Sequence, residues 1–220
     1  VLCLFALDGQ SVADPAQDAR KAEASGADIL FIPSRNAFWP AQLTARVACG
    51  DLDARLAGSG RPGYYRDLCT LALKLFHIIK PDRTYYGQKD IQRFLLVQRM
   101  TADLNVPVEV LCLPTVREQD NLALSSGNAA LDPHQRKQAA LIYSALHLAE
   151  QLYAGGQREA AAMLGAMEKE LRKALLGNIR FLQAVDQVNL LPQERLKAGS
   201  LISLALTFGD LVLEDNTILG

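Results

Sequence analysis

Thr84-Tyr-Tyr-Gly-Gln-Lys-Asp-Ile-Gln-Arg93 decides the reading of this chain. A strand near Thr84–Tyr86 gives way at Gly87 to a helix that starts at Asp90 and runs to about Leu104. Lys89 and Asp90 then stand where open α/β sheets bind ligands, beside helix N-terminal N–H groups that favour phosphate. Lysine suits that place as a mobile point charge for a polyphosphate. The plain alternative is a solvated Lys–Asp pair at a helix cap.

The same grammar extends in both directions. Val1–Leu7 is a continuous apolar run of strand length, and Asp14-Pro15 supplies an N-cap and a first-turn proline for a helix through about Ala24. Asp28–Ile32 reads as the next strand, Arg66–Ile79 as a helix and Val108–Leu113 as a strand. Apolar strands alternating with helices specify an α/β fold, a Rossmann-like parallel sheet with helices on its faces. After Asn128 the texture changes. Asp132-Pro-His-Gln135 forms a capping box with proline at the first helical position, and its helix should run to Tyr153 before Gly155-Gly156 stops it. A second helix, from Gln157 to about Leu176, leads into strand-like runs at Ile179–Val188, Ser200–Thr207 and Asp210–Leu213. The expected organisation is one domain over residues 1–130 and a small α+β domain over 131–220.

Composition narrows the function. The 220 residues carry 23 Lys and Arg against 24 Asp and Glu, a net charge of −1, and half of them are hydrophobic. Such a balance gives no field to attract nucleic acid or an anionic membrane surface, so small ligands fit better. No apolar run reaches the roughly 18 residues of a membrane span, and Val1–Leu7 lacks the basic flank and cleavage site of a signal peptide. Cys3, Cys49, Cys69 and Cys112 form no Cys-x-x-Cys pair and read as reduced, buried thiols of a cytoplasmic protein. His77, His134 and His147 have no ligand-like spacing, so no metal site is assigned to protein side chains.

Two further stretches join the first: Arg61-Pro-Gly-Tyr-Tyr-Arg-Asp-Leu68, and Pro114-Thr-Val-Arg-Glu-Gln-Asp-Asn-Leu-Ala-Leu-Ser-Ser-Gly-Asn128. Taken singly, Pro62-Gly63 is a turn signal and Ser-Ser-Gly-Asn a common loop ending. In order and spacing, the three together resemble the pantothenate synthetase (pantoate–β-alanine ligase) family. That resemblance implies a nucleotidyltransferase-type Rossmann domain over 1–130, a C-terminal lid domain, ATP and magnesium as cofactors, and a homodimer. It implies an AMP-forming carboxylate–amine ligase, in which a carboxylate attacks the α-phosphate of ATP to give an acyl-adenylate and an amine then displaces AMP.

The resemblance also assigns roles. Lys89 steadies phosphate, Asp90 supports the lysine or a metal, and Ser125 and Ser126 close over the phosphates. Gly87, Val116 and Leu124 complete the nucleotide side, and Ser11, Arg61, Tyr64 and Arg93 the acid side. Departures from the family pattern concentrate on the acid side. Arg93 stands where the family has a pantoate-binding glutamine, and Asp8-Gly-Gln-Ser11 where it has a second one. Tyr64 replaces histidine, Ala57 and Gln88 each replace glutamate, and Asp67 replaces a glycine, which predicts a rearranged helix start. On the nucleotide side the lid arginine is Gly127. An arginine in the pocket would favour a carboxylate or phosphate through a bidentate contact; otherwise Arg93 is a surface helix residue.

The family's two-histidine ATP loop, carried on an earlier strand and helix, has no match. The chain opens without methionine, and the expectation is that the missing segment precedes Val1 or is supplied by another chain. Two functions follow from the pattern: a ligase with an altered acid substrate, or a catalytically degenerate homologue acting as a partner or regulatory subunit. A nucleotidyltransferase that adenylylates without ligating would use the same Lys89 and serine turn.

Overall fold

The computed structural model describes residues 3–5 and 15–220. The chain forms two compact units, residues 1–46 and 47–220. In the first unit β1 (Cys3–Phe5) pairs in parallel with β2 (Ile29–Phe31), joined through α1 (Pro15–Ala24). A single turn, α2 (Arg35–Phe38), follows, and Phe31 meets Phe38 edge to face at 6.4 Å.

The second unit begins with two short 3-10 turns, Gly50–Ala54 and Leu56–Gly60. Gly58 is obligatory there, since a Cβ would lie 2.0 Å from the Asp53 carbonyl oxygen. Helix α3 (Tyr64–Ile79) starts from Gly63, whose φ of 79° is the left-handed backbone that favours glycine. Asp67 is an ordinary helical residue of the first turn, its N–H bonded to the Gly63 carbonyl at 3.0 Å. The helix start predicted to be rearranged around Asp67 is therefore regular. A first-turn carboxylate suits the positive end of a helix.

Strand β3 (Arg83–Gly87) runs through the 3-10 turn Gln88–Asp90 into α4 (Ile91–Asp103), then to β4 (Glu109–Leu113), which pairs in parallel with β3. This is the strand–helix–strand unit read from Thr84–Arg93. Its core comprises Tyr65, Cys69, Phe76, Leu96, Val97 and Met100.

The capping box at Asp132 is present as predicted, with Oδ1 accepting from the N–H groups of His134 and Gln135 at 2.8 Å and Gln135 returning to the Asp132 N–H. The helix it starts is not continuous to Tyr153. It divides into α5 (Pro133–Ala139) and α6 (Leu141–Ala154), and α7 (Ala160–Leu171) is shorter than expected at both ends. Strands β5 (Asn178–Val185), β6 (Leu201–Phe208) and β7 (Leu211–Ile218) form an antiparallel sheet in that order.

Strand β6 is buried on both faces, and the two-residue period separates its contacts. Ile202, Leu204, Leu206 and Phe208 join α6 and α7 in one core through Ile142, Leu146, Met163 and Met167. On the opposite face Leu201 packs with Leu56, Ile91, Val185 and Leu190. That second core ties the C-terminal sheet to α4 and the 3-10 turns inside residues 47–220. A boundary near Leu131 would thus divide two lobes that share packing.

Candidate functional site

Five of the residues singled out from sequence line one cleft: Arg61, Tyr64, Lys89, Asp90 and Arg93. Four elements build it. The turn before α3 brings Arg61 and the first residue of α3 brings Tyr64, and the β3–α4 junction brings Lys89, Asp90 and Arg93. The second 3-10 turn adds Leu56 and Ala57, and the C-terminal sheet adds Phe181, Ser203 and Glu214. Leu56 holds a left-handed φ of 47° in the cleft wall, an unusual conformation for a branched side chain.

The polar groups are mutually engaged except at the buried Arg93 Nε, which has no partner among the described residues. Arg93 donates from Nη2 to the Tyr64 hydroxyl at 3.1 Å and pairs through Nη1 with Asp90 Oδ2 at 3.3 Å. Lys89 Nζ approaches Asp90 Oδ1 at 3.5 Å. Arg61 pairs with Glu214 at 2.7 Å while its guanidinium lies 5.5 Å from the Tyr64 ring centre. Burial works against the Arg93 charge, but Asp90 and the Tyr64 hydroxyl hold its pKa above the ordinary value. Burial, and next the Glu214 carboxylate, push the Tyr65 phenol up. With both arginines paired, about 30 Å³ remains free, room for roughly two waters at ~10–15 Å³ each.

Lys89 is fixed by a residue that the sequence reading missed. Asn216 of β7 donates from Nδ2 to the carbonyls of Gln88 at 2.7 Å and Lys89 at 3.1 Å. Its own Oδ1 accepts from Gln88 Nε2 at 3.4 Å. Asp215 beside it is 2% exposed and accepts from Arg117 Nη1 at 2.7 Å, and Arg117 lies 4.7 Å over the Tyr143 ring of α6. The alternation of β7 sends Glu214 and Asn216 toward the cleft and Leu213 and Asp215 toward α6. A strand ending at Leu213, as read from sequence, stops short of Glu214, Asp215 and Asn216. The run Glu214-Asp-Asn-Thr217 carries no strand signal in the sequence, since a polar run reads as a loop and its last three members are buried only in the folded chain.

The serine turn lies apart from this cleft. Ser125 caps the 3-10 turn Ser126–Ala130, its Oγ accepting from the Gly127 N–H at 3.3 Å, and Ser126 is exposed. Asn128 anchors the turn, donating to Glu118 at 2.6 Å and to the Ala123 carbonyl at 2.9 Å. Gly127 sits where an added Cβ would meet Leu211 at 3.2 Å. Val116 and Leu124, joined by a 2.8 Å backbone bond, form an exposed apolar shelf beside the turn. Two buried polar atoms nearby, Thr115 Oγ1 and Asn128 Oδ1, have no partner among the described residues. Gly87 ends β3 and is exposed, with open space where a side chain would be. Ser11 lies outside the described residues.

Glu118 links the turn to α5, accepting from Arg136 at 2.6 Å, and Asp120 pairs with the same guanidinium at 2.8 Å. Asn128 and then Arg136 hold the Glu118 carboxyl below the ordinary value of 4.5. A depressed folded-state pKa contributes stability at neutral pH that is lost as pH falls from about 4.5 through the folded value. The melting temperatures of the wild type and Glu118→Gln should therefore differ at pH 7 and converge as the pH falls below 4.5. A gap independent of pH would show that the carboxylate charge is not what stabilises the turn.

Residues 13–218 match the family model for pantoate–β-alanine ligase. The pantothenate synthetase of Moorella thermoacetica is 41% identical over 206 residues, covering 94% of this chain and 73% of the relative. The crystal structure of the Thermus thermophilus pantothenate synthetase superposes with a TM-score of 0.89 at 35% identity, covering 96% of this chain and 78% of that one. A Francisella tularensis pantoate–β-alanine ligase, complexed with β-γ ATP and β-alanine, superposes at 0.72 over 93% of this chain and 70% of that one. Its 24% identity speaks for the fold alone.

Proposed function

The chain belongs to the pantoate–β-alanine ligase family, a family of ATP-dependent ligases, and from that premise we propose an AMP-forming carboxylate–amine ligase whose acid pocket is altered. One observation carries the alteration. Arg93 lines the cleft and joins Tyr64 and Asp90, so a permanent cation stands where the family pattern has a neutral glutamine. A pocket of this kind favours an acid bearing a second anionic group.

In this reading ATP lies along the β3–α4 junction, where α4 starts behind Lys89 and the exposed shelf of Val116 and Leu124 offers a face to a base. Lys89 holds phosphate charge, and Asn216 holds the backbone that presents Lys89. Ser125 and Ser126 supply hydroxyls from the turn beside Gly127. Among the described residues no cluster of three metal-ligating side chains occurs. Magnesium would be held chiefly by ATP phosphates, with the Asp90 carboxylate beside Lys89 as the protein group to support it. A homodimer and a cytoplasmic location accompany the family reading.

The second reading, a catalytically degenerate partner subunit, is favoured by the closure of the cleft. Tyr64 and the two paired arginines leave about 30 Å³ free, and no arginine stands at Gly127. Pyrophosphate release with ATP, magnesium and a panel of mono- and dicarboxylates separates the two. The ligase reading expects release with at least one anionic acid and more with diacids than with pantoate. Silence across the panel together with failure to bind ATP by calorimetry would transfer the weight to the partner reading, whereas ATP binding without turnover would leave the acid open.

A further inference from the structure

Outside the cleft, two cysteines face each other. Cys49 lies just before the first 3-10 turn and Cys69 in the second turn of α3, with their sulfurs 3.8 Å apart. Cys69 is fully buried, whereas Cys49 borders a hollow of about 430 Å³ open to solvent, lined also by Gly50, Leu52, Arg55, Arg99 and Asp103. Cys112 packs with the separate cluster around Leu56 and Ile91.

We propose that Cys49 and Cys69 form an oxidant-reactive thiol pair, with Cys49 the attacking sulfur and Cys69 the resolving one. The division of roles follows from access: a small oxidant reaches Cys49 through the hollow and has no path to Cys69. The contact between the two sulfurs lowers the pKa of Cys49, with burial and the carboxylates of Asp53 and Asp103 opposing and Arg99 assisting. A thiolate is the nucleophilic form, so geometry and protonation favour the same sulfur. With hydrogen peroxide as oxidant, the Cys49 thiolate attacks one peroxide oxygen. The O–O bond breaks, hydroxide takes a proton to leave as water, and Cys49 becomes a sulfenic acid. The Cys69 sulfur then displaces the sulfenic oxygen as a second water and forms the disulfide. The sum is two thiols and hydrogen peroxide giving one disulfide and two waters.

Closing from 3.8 Å to the roughly 2.05 Å of a disulfide requires rotation at the two Cβ atoms. Cys49 would give up its 3.6 Å contact to the Leu96 carbonyl. The change has a path toward the cleft. The turn that follows Cys49 supplies the Leu52 carbonyl, and the residue after it the Arg55 carbonyl, which accept from Gln92 Nε2 at 3.1 and 2.7 Å next to Arg93.

The test treats the intact protein with hydrogen peroxide at about one equivalent, blocks the remaining thiols, digests with trypsin and identifies the peptides by mass. The expected product joins Val47–Arg55 to Asp67–Lys74 through one disulfide, leaving two of the four thiols. In Cys69→Ser, dimedone should label Cys49 and no linked peptide should form. In Cys49→Ser, both products should be lost while the melting temperature confirms a folded protein. Dimedone labelling of Cys112 ahead of Cys49, or Cys49 and Cys69 persisting as thiols while another cysteine is consumed, overturns the proposal. So does a linked peptide that pairs Cys69 with any other partner.

Discussion

Lys89→Ala should lower ATP-dependent pyrophosphate release by about 10²–10³, the loss expected when one preorganised contact to developing charge is removed. Lys89 is suited to so large a share. Its side chain is 23% exposed, so it is accessible without being fully hydrated. Its ion-pair partner among the described residues, Asp90, is shared with Arg93 at 3.3 Å. Its backbone is held through Asn216. Lys89→Arg keeps the charge but carries a planar fork in place of a compact ammonium, so recovery should be incomplete. Asp90→Asn removes the shared carboxylate and should raise the KM for ATP more than it lowers kcat, since it leaves Lys89 in place. Retention of a third or more of the wild-type rate by Lys89→Ala would remove this residue from the phosphate site.

Arg117→Met should destabilise the fold by about 3 kcal/mol, the lower end of the cost of leaving a buried charge unpaired. The lower end applies because Arg117 is itself 23% exposed, whereas Asp215 is 2% exposed and loses its cationic partner among the described residues. The Asp215 carboxylate keeps the bond from its neighbour's N–H at 2.8 Å. The double variant Arg117→Met with Asp215→Leu should recover much of the loss, because removing both charges leaves nothing uncompensated. Urea unfolding at pH 7 measures both. Equal stability of Arg117→Met and the wild type would mean that the Arg117–Asp215 pair does not stabilise the fold. The position matters beyond stability, since Asp215 precedes the asparagine that presents Lys89.

The legible part of the molecule is that fixed by neighbouring residues. The Asp132 capping box and the β3–α4 junction depend on interactions spanning three or four residues, and each appears where the sequence puts it, whereas α3 starts from Gly63, ahead of the Arg66 start read from sequence. The continuous helix expected over Asp132–Tyr153 failed because its apolar face could be read but the break at Ala140 could not. Alanine carries no breaker signal, so nothing local marks the division between α5 and α6. The end of β7 was missed for a related reason. Glu214, Asp215 and Asn216 resemble a solvated loop until Arg61, Arg117 and the Gln88 and Lys89 carbonyls, about 100 residues or more away, supply their partners.

By itself, the sequence determined the α/β class, the order of elements and the residues worth testing, because hydrophobic period, capping and turn chemistry are local. Tertiary structure decided which of those residues share a cleft. Arg93 becomes a cleft residue through Tyr64 and Asp90, Arg61 is neutralised by Glu214, and Lys89 is held by Asn216. The serine turn stands on a separate scaffold of Asn128, Glu118 and Arg136. Such pairings depend on how strands and helices distant in sequence are packed, and side-chain charge takes its chemical meaning from the partner that packing provides.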